Sequence, residues 1–244
     1  MKKYAILLVI LLSLISRASA FTLITTTAGD TPVWPTMPVQ FWINQMGSPP
    51  IVNGSDVAAV LAAFQIWQNV STASISFQYM GTTPIGTVGQ DGLNVITFVD
   101  NTVPLGSDTV ASTFSFFTVD GTGSLVIQEA DIALSPSVAF STSAEPGKYD
   151  LQSVLTHEVG HFLGLDHSAL LSSVMTPYGQ AGQLDQRTLT YDDIAGMSLL
   201  YPNSSVTAAL GAITGTITRR SNTGFRCTCR CGRCKRHAGV VGDF

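Results

Sequence analysis

One eleven-residue stretch constrains this chain more than any other, because it reads H-E-x-x-H-x-x-G-x-x-H. Residues four apart on a helix share a face, so His157 and His161 can direct their imidazoles at one ion. Gly164 can leave the helix with positive φ, which lets His167 return as a third ligand. Three imidazoles with a fourth position left to water indicate a catalytic zinc site. Glu158 is predicted to reach that water without binding the metal.

An ordinary amphipathic helix is the alternative, since a bare H-E-x-x-H can arise without a metal. The added Gly164 and His167 argue against it. The chain has only four histidines, and the fourth, His237, lies in the C-terminal tail. Every histidine of the globular part therefore belongs to the motif, which favours the zinc site.

Residues 1–20 are typical of a secretory signal peptide. A basic start at Lys2 and Lys3 precedes an apolar run over 4–15, and residues 18–20 read Ala-Ser-Ala. An uncleaved N-terminal anchor is the alternative. We expect a mature protein that begins at Phe21 and is secreted, with association to the cell surface still open. No later apolar run approaches 18 residues, so no membrane span is predicted.

The charge of the chain is unevenly distributed. The formal net charge is −4, yet residues 21–202 hold two basic residues against fifteen acidic ones, a balance of −13. Such an acidic domain is poorly suited to phosphate backbones, so no nucleic-acid partner is predicted. The first cysteine is Cys227, so the domain at 21–202 depends on packing, with bound calcium as a further candidate, rather than on disulfides.

Hydrophobic periodicity predicts an α+β domain. A helix is expected over 55–70 with Ser55 as its cap, and the zinc helix is expected from about Asp150. Strands are expected at 39–43, 75–79, 93–99, 112–119 and 125–134. The turn at 120–123 is most simply a hairpin, although Asp120 is also a candidate calcium ligand. Glu129 and Asp131 are further candidates for calcium.

The residues after the motif resemble those of the matrixin branch of the metzincin metallopeptidases. Ser168 follows the third histidine directly, as in matrixins. Residues 173–177, with Met175 and Pro177, are similar to the family's Met-turn, and 189–202 to its final helix. The resemblance covers about residues 33–202. It implies a twisted, mainly parallel five-stranded sheet with three helices and an active-site cleft above the zinc helix.

Several departures from the family pattern bear on regulation and specificity. Latent matrixins carry a pro-segment cysteine on the zinc, but no cysteine precedes Cys227 here. The chain resembles a short, bacterial-type member, active without such a switch or restrained by a separate protein inhibitor. The histidines for a second, structural zinc are missing, so one zinc is expected. A monomer is also expected. Thr176 replaces the Met-turn tyrosine, so the family's substrate preference cannot be carried over.

The motif predicts a secreted zinc endopeptidase acting on proteins or peptides. Zinc lowers the pKa of water from 15.7 towards about 7, and Glu158 passes the proton to the leaving amine. By resemblance, an extended substrate pairs with an edge strand within 125–134 or 112–119, and Tyr178 assists the oxyanion. The alternative is a zinc-binding surface or adhesion module without turnover. An intact Glu158 argues against it, because binding alone requires no base.

The tail at 203–244 begins like an accessory β-sandwich, with a strand expected at 210–218. It then changes to an Arg- and Cys-rich sequence. Four thiolates could bind a second zinc, or two disulfides could form, although the spacing suits neither well. We favour a frameshift that truncates the accessory domain, since Cys and Arg codons read one base later give mainly Ala and Val. The four cysteines are Cys227, Cys229, Cys231 and Cys234.

Overall fold

The computed structural model describes residues 21–207 apart from positions 50, 52, 99, 101, 104 and 107, and the backbone of 213–218, 224–230 and 233–236. The predicted signal peptide at 1–20 lies outside the described residues. No helix within the described ranges combines the length and the apolar character needed to cross a membrane.

Three long helices and a series of strands form the domain that ends near residue 202. In chain order the elements are β1 (Thr22–Leu23), β2 (Val39–Asn44), α1 (Ser55–Gln68), β3 (Phe77–Thr83), β4 (Val95–Thr97), β5 (Ala111–Val119), β6 (Leu125–Leu134), β7 (Phe140–Ser141), β8 (Tyr149–Asp150), α2 (Leu151–Phe162), β9 (Leu165–Asp166), a 3₁₀ turn (Asp185–Arg187), α3 (Tyr191–Leu200) and α4 (Ser204–Thr207).

The central sheet has five strands in the order β3-β2-β4-β6-β5. The pairs β2/β3, β2/β4 and β4/β6 are parallel, and the hairpin pair β5/β6 is antiparallel. This confirms the predicted mainly parallel sheet of an α+β domain. Of the two strands expected to offer an edge, β5 lies at the edge, whereas β6 is paired on both sides.

The start of α1 differs from the expectation. Ser55 was predicted to cap this helix, but the cap position is held by Gly54 with φ 75° and no side-chain cap. The prediction was wrong because the Ser55 hydroxyl is engaged elsewhere. It donates to Asn53 Oδ1 at 2.7 Å, and the Ser55 N–H donates to the same oxygen at 3.1 Å.

Aromatic side chains fill the core between the sheet, α1 and α2. Phe41 of β2 stacks on Phe64 of α1 with ring centroids 3.9 Å apart, and Phe64 meets Phe162 of α2 edge-on at 5.5 Å. On α2, Leu151 and Leu155 are fully buried. Burial of these large apolar side chains places α2 firmly on the sheet.

The C-terminal end of α2 is closed by two aromatic side chains. The last carbonyls of a helix lack partners within it, so they need donors from elsewhere. Trp34 Nε1 donates to Phe162 O at 2.8 Å, and the Tyr201 hydroxyl donates to Leu163 O at 2.8 Å. Both donors are buried, so these bonds replace contacts with water and fix the point where the chain leaves α2.

The N-terminal end of α2 carries the main ion pair of the domain. Asp150 caps the helix by accepting from the Ser153 N–H at 2.9 Å. Arg187 donates to both carboxylate oxygens of Asp150, from Nε at 2.8 Å and from Nη2 at 2.5 Å. The Asp150 side chain is fully buried. A buried carboxylate with a bidentate guanidinium avoids the cost of an uncompensated charge.

The tail contributes three antiparallel strands in the order β10-β11-β12, namely Ile213–Thr218, Gly224–Arg230 and Arg233–Arg236. The first lies within the predicted strand at 210–218. The three interpretations of the cysteines, and the frameshift among them, stay predictions. Cys231 lies outside the described residues.

Replacement of Arg187 tests the role of this ion pair. In Arg187→Met the buried Asp150 carboxylate loses its cation, so we expect a loss of about 3 kcal/mol in the free energy of unfolding. Urea unfolding at pH 7 measures it. The control is Lys148→Met, because Lys148 pairs with the exposed Glu145 at 2.6 Å and should change stability little. Equal losses in the two variants would contradict the argument.

Candidate metal centre

The chain path at the end of α2 brings three histidines together. His157 and His161 lie one turn apart on α2, which ends at Phe162. Gly164 has φ 99°, and a Cβ there would lie 2.9 Å from the Pro32 carbonyl oxygen. Only glycine suits this turn. The chain then passes through β9, and His167 follows it beside the first two histidines.

The three imidazoles match the geometry of a single zinc ion. Their ligand nitrogens all lie within 4.8 Å of one another. The Nε2 atoms of His157 and His161 are 3.1 Å apart. Ligands at 2.0–2.1 Å from a tetrahedral zinc are about 3.3 Å apart, so the spacing fits. Across the part of the chain that the structure describes, no other group of three His, Cys, Asp or Glu side chains is suited to a metal.

Backbone carbonyls set the tautomer of the first two histidines. His157 Nδ1 lies 2.8 Å from Val174 O, and His161 Nδ1 lies 2.8 Å from Leu165 O. A carbonyl only accepts, so each Nδ1 carries the proton and each Nε2 keeps a free lone pair. Burial lowers the pKa of both imidazoles to about 4. Both are therefore neutral at pH 7, which is the form that binds a metal.

A turn at residues 173–175 is held from the start of α3. Asp193 Oδ1 accepts from the Ser173 hydroxyl at 2.5 Å, and Asp193 Oδ2 accepts from the Val174 N–H at 3.1 Å. The carbonyl of the same Val174 orients His157. One carboxylate on α3 therefore fixes the backbone that positions the first ligand, a role that sequence spacing did not predict.

Met175 lies directly beneath the zinc helix. Its side chain is 1% exposed, and a Cβ added at Gly160 would lie 2.1 Å from its sulfur. Glycine at position 160 therefore permits this close approach. Gly160 is a signal in the sequence for this close contact. A glycine in the interior of a helix is unfavourable unless packing requires it.

Ser168 connects the third ligand to the rest of the site. Its N–H donates to Met175 O at 2.8 Å, and its hydroxyl donates to Asp192 Oδ2 at 2.7 Å. Asp192 Oδ1 accepts from the Phe21 N–H at 3.0 Å. Ser168 and Met175, which the sequence placed as supporting residues, are thus joined by a backbone hydrogen bond next to His167.

Glu158 is buried beside the ligands and has a partner on the edge strand. The Thr113 hydroxyl of β5 lies 2.7 Å from Glu158 Oε2 and 3.0 Å from Glu158 O. Burial raises the pKa of Glu158, while His161 and the Thr113 hydrogen bond act in the opposite direction. Sequence analysis missed Thr113, since no spacing rule relates a strand residue to a helix that begins about forty residues later.

A cavity of about 360 Å³ lies at the first turn of α2, one turn before His157. Ser153 and Val154 line it from α2, and they precede His157 by four and three residues, on the same helix face. Val154 is half-buried, because it packs against the hydrophobic core and also lines this cavity. Thr176 and Tyr178 line it from the chain after Met175.

Pro177 and Tyr178 lie where the chain leaves the buried turn for the surface. Pro177 is exposed, and Tyr178 is 73% exposed at the cavity mouth. The role of Tyr178 at the oxyanion stays a prediction.

The side chains of the three candidate calcium ligands accept hydrogen bonds from backbone N–H groups. Asp120 Oδ1 accepts from the N–H groups of Thr122 and Ser124, both at 2.9 Å, within the β5–β6 hairpin turn. Glu129 and Asp131 are each 1% exposed, and burial raises the pKa of Asp131 to about 7. Their carboxylates accept from backbone N–H groups, those of Gly89, Asp91, Gly92 and Val95. The calcium assignment therefore stays a prediction.

Comparison with known proteins agrees with this geometry. The family model described as Matrixin matches residues 34–202. The hatching enzyme of Paracentrotus lividus is 32% identical over 175 residues, which is 69% of this chain and 26% of that protein. Matrilysin of Rattus norvegicus is 47% identical over 60 residues, 25% of this chain and 22% of that protein.

A plant relative, metalloendoproteinase 1-MMP of Arabidopsis thaliana, is 52% identical over 59 residues, 22% of this chain and 15% of that protein. The chain thus spans about a quarter or less of the length of these three relatives. The region matched by the family model, residues 34–202, nevertheless covers the five-stranded sheet, the three long helices and the histidine centre. The chain belongs to the matrixin family of zinc-dependent metalloendopeptidases.

Proposed function

We propose that this chain is an endopeptidase that hydrolyses peptide bonds of proteins or peptides at its histidine centre. The observation that carries the proposal is the convergence of three imidazoles beside the buried carboxylate of Glu158. The first two imidazoles are held with their Nε2 lone pairs free. A structural zinc site would have four protein ligands and would not need a base.

The chemistry divides between the metal and Glu158. His157, His161 and His167 would hold a zinc ion, which would supply a Lewis acid for the peptide carbonyl and for water. Glu158 removes a proton as the water oxygen attacks the carbonyl carbon. The C–N bond then breaks, and Glu158 delivers the same proton to the departing amine. Thr113 holds the carboxylate in place by its hydrogen bond to Oε2.

The substrate is expected to lie along β5. This strand is an open edge of the sheet, and Thr113 on β5 contacts Glu158. An extended peptide can add to such an edge by backbone hydrogen bonds, which brings its carbonyls past the catalytic carboxylate. We include this strand addition in the proposal because β6, the other candidate, has no free edge.

Secretion belongs to the same proposal. The domain is acidic and lacks cysteine before position 227, so it does not depend on disulfides. Removal of residues 1–20 would create an α-ammonium at Phe21. The Phe21 nitrogen lies 3.0 Å from Asp192 Oδ1, where such a charge would gain an ion pair.

Loss of the base tests the mechanism. Glu158→Ala should keep one zinc per chain, because the three ligands remain, and should lose peptidase activity by about a thousand-fold or more. Metal analysis and cleavage of casein measure the two properties. The control is Glu145→Ala, an exposed glutamate that pairs with Lys148 and should leave cleavage unchanged. Cleavage by Glu158→Ala at the wild-type rate would rule out the assigned role.

Metal removal separates an enzyme from a binding module of the same fold. The wild-type protein should bind one zinc per chain and cleave a denatured protein substrate, and a chelator should abolish cleavage until zinc is restored. Stoichiometric zinc without any cleavage would favour an adhesion or surface module instead.

The Thr113 hydroxyl provides a finer test. Thr113→Val keeps the side-chain shape but removes the hydrogen bond to Glu158, so we expect kcat to fall about tenfold with KM and zinc content little changed. Thr113→Ser should restore most of kcat. Thr118→Val, at an exposed position of the same strand, is the control. If kcat fell equally in Thr113→Val and Thr118→Val, the cause would be damage to β5 rather than loss of the hydrogen bond that positions the base.

A further inference from the structure

The cavity at the first turn of α2 has polar as well as apolar side chains in its walls. Four hydroxyl-bearing side chains line it, and two of them are buried, Ser153 from α2 and Thr176 from the chain after Met175. These residues are only 5% and 4% exposed. Because the cavity begins one turn before His157 on the same helix face, a substrate side chain next to the reacting peptide bond would enter it.

Both hydroxyls are buried without a hydrogen-bond partner in the described structure. Their backbones are satisfied, since the Ser153 N–H donates to Asp150 and the Thr176 N–H donates to Ser173 O. Most buried polar atoms in folded proteins are paired, and leaving one unpaired is costly. A pair of unpaired hydroxyls on one cavity therefore indicates a ligand group that supplies their partners.

The charges around the cavity limit what that group can be. Asp150 and Asp185 are the carboxylates among its described lining residues, which include no Lys, Arg or His. An acidic side chain would meet only like charge. Asp150 is already paired with Arg187 through both oxygens, and Asp185 is exposed to solvent, so neither carboxylate offers a free buried charge to a cation. Burying an unpaired charge is unfavourable, so a neutral polar group is preferred.

We propose that this cavity selects a substrate side chain that ends in an uncharged amide, glutamine in the first place, and that Ser153 and Thr176 determine the selection. A carboxamide both donates and accepts, so it can pair with two hydroxyls at once. Glutamine is also long and unbranched, which suits a cavity of about 360 Å³. The inference rests on the proposed peptidase function and names the substrate class of that site.

Cleavage profiling with a peptide library locates the selected position, and matched peptides then differ there only by Gln, Met, Lys or Glu. Methionine has a similar length and shape without the amide. The wild-type protein should cleave the Gln peptide about tenfold faster than the Met peptide in kcat/KM, as expected for two neutral hydrogen bonds. Faster cleavage of the Met, Lys or Glu peptide would overturn the proposal.

Removal of the hydroxyls identifies the residues responsible. The double variant Ser153→Ala/Thr176→Val should cleave the Met peptide at least as fast as the Gln peptide. The control is Ser172→Ala, an exposed hydroxyl of the neighbouring loop that does not line the cavity. It should keep the wild-type Gln preference. An unchanged preference in the double variant would assign the selection to other groups.

Two measurements remain informative without turnover. The Glu158→Ala protein loaded with zinc should bind the Gln peptide about tenfold more tightly than the Met peptide in calorimetry. Preferential binding without wild-type cleavage would sink the peptidase function but keep the selective cavity. Cleavage of the Gln and Met peptides at equal rates would keep the peptidase function and rule out the selective cavity.

In the free protein, Thr176→Val should not lower Tm, because no hydrogen bond of the hydroxyl is lost. A clear fall in Tm would show that the hydroxyl is already paired and would remove the basis of the inference.

Discussion

The hydrogen bond between His157 Nδ1 and Val174 O is the contact on which the site depends. It determines which ring nitrogen faces the metal, and it joins the zinc helix to the turn that carries Met175. That turn has no regular structure of its own, so Asp193 supplies its hydrogen bonds. Asp193 also accepts from the Thr190 N–H and hydroxyl at the start of α3. The first turn of α3 therefore builds the outer shell of the metal centre.

Rigidity of α2 follows from partners at both of its ends. Asp150 and Arg187 fix its beginning, and the donors from Trp34 and Tyr201 fix its end. In its middle, Trp67 Nε1 donates to a helix carbonyl at 2.8 Å. A domain without cysteines achieves this order by burying polar donors on backbone acceptors. Such support holds ligands in position before the metal binds, which reduces the reorganisation that binding requires.

The features that could be predicted from the sequence are those set by residues close together along the chain. The spacing of the histidines and the positive φ of Gly164 follow from helix geometry, and the strand expected at 125–134 is found as β6 at Leu125–Leu134. Thr113 and Asp193 were missed because their roles depend on how sheet and helices meet. The failed cap at Ser55 has a local cause, since Asn53 offered the hydroxyl a nearer acceptor.

Stability and selectivity converge on the same ion pair. Arg187 engages both oxygens of Asp150, which caps the helix that carries the first two ligands. The pairing therefore secures the metal centre and, at the same time, neutralises a carboxylate in the wall of the neighbouring cavity. With that charge compensated, the hydroxyls of Ser153 and Thr176 are the buried side-chain polar atoms without a partner among the described lining residues. The proposed neutral selectivity is then a consequence of how the zinc helix is capped, because a buried, unpaired carboxylate at Asp150 would favour a basic side chain.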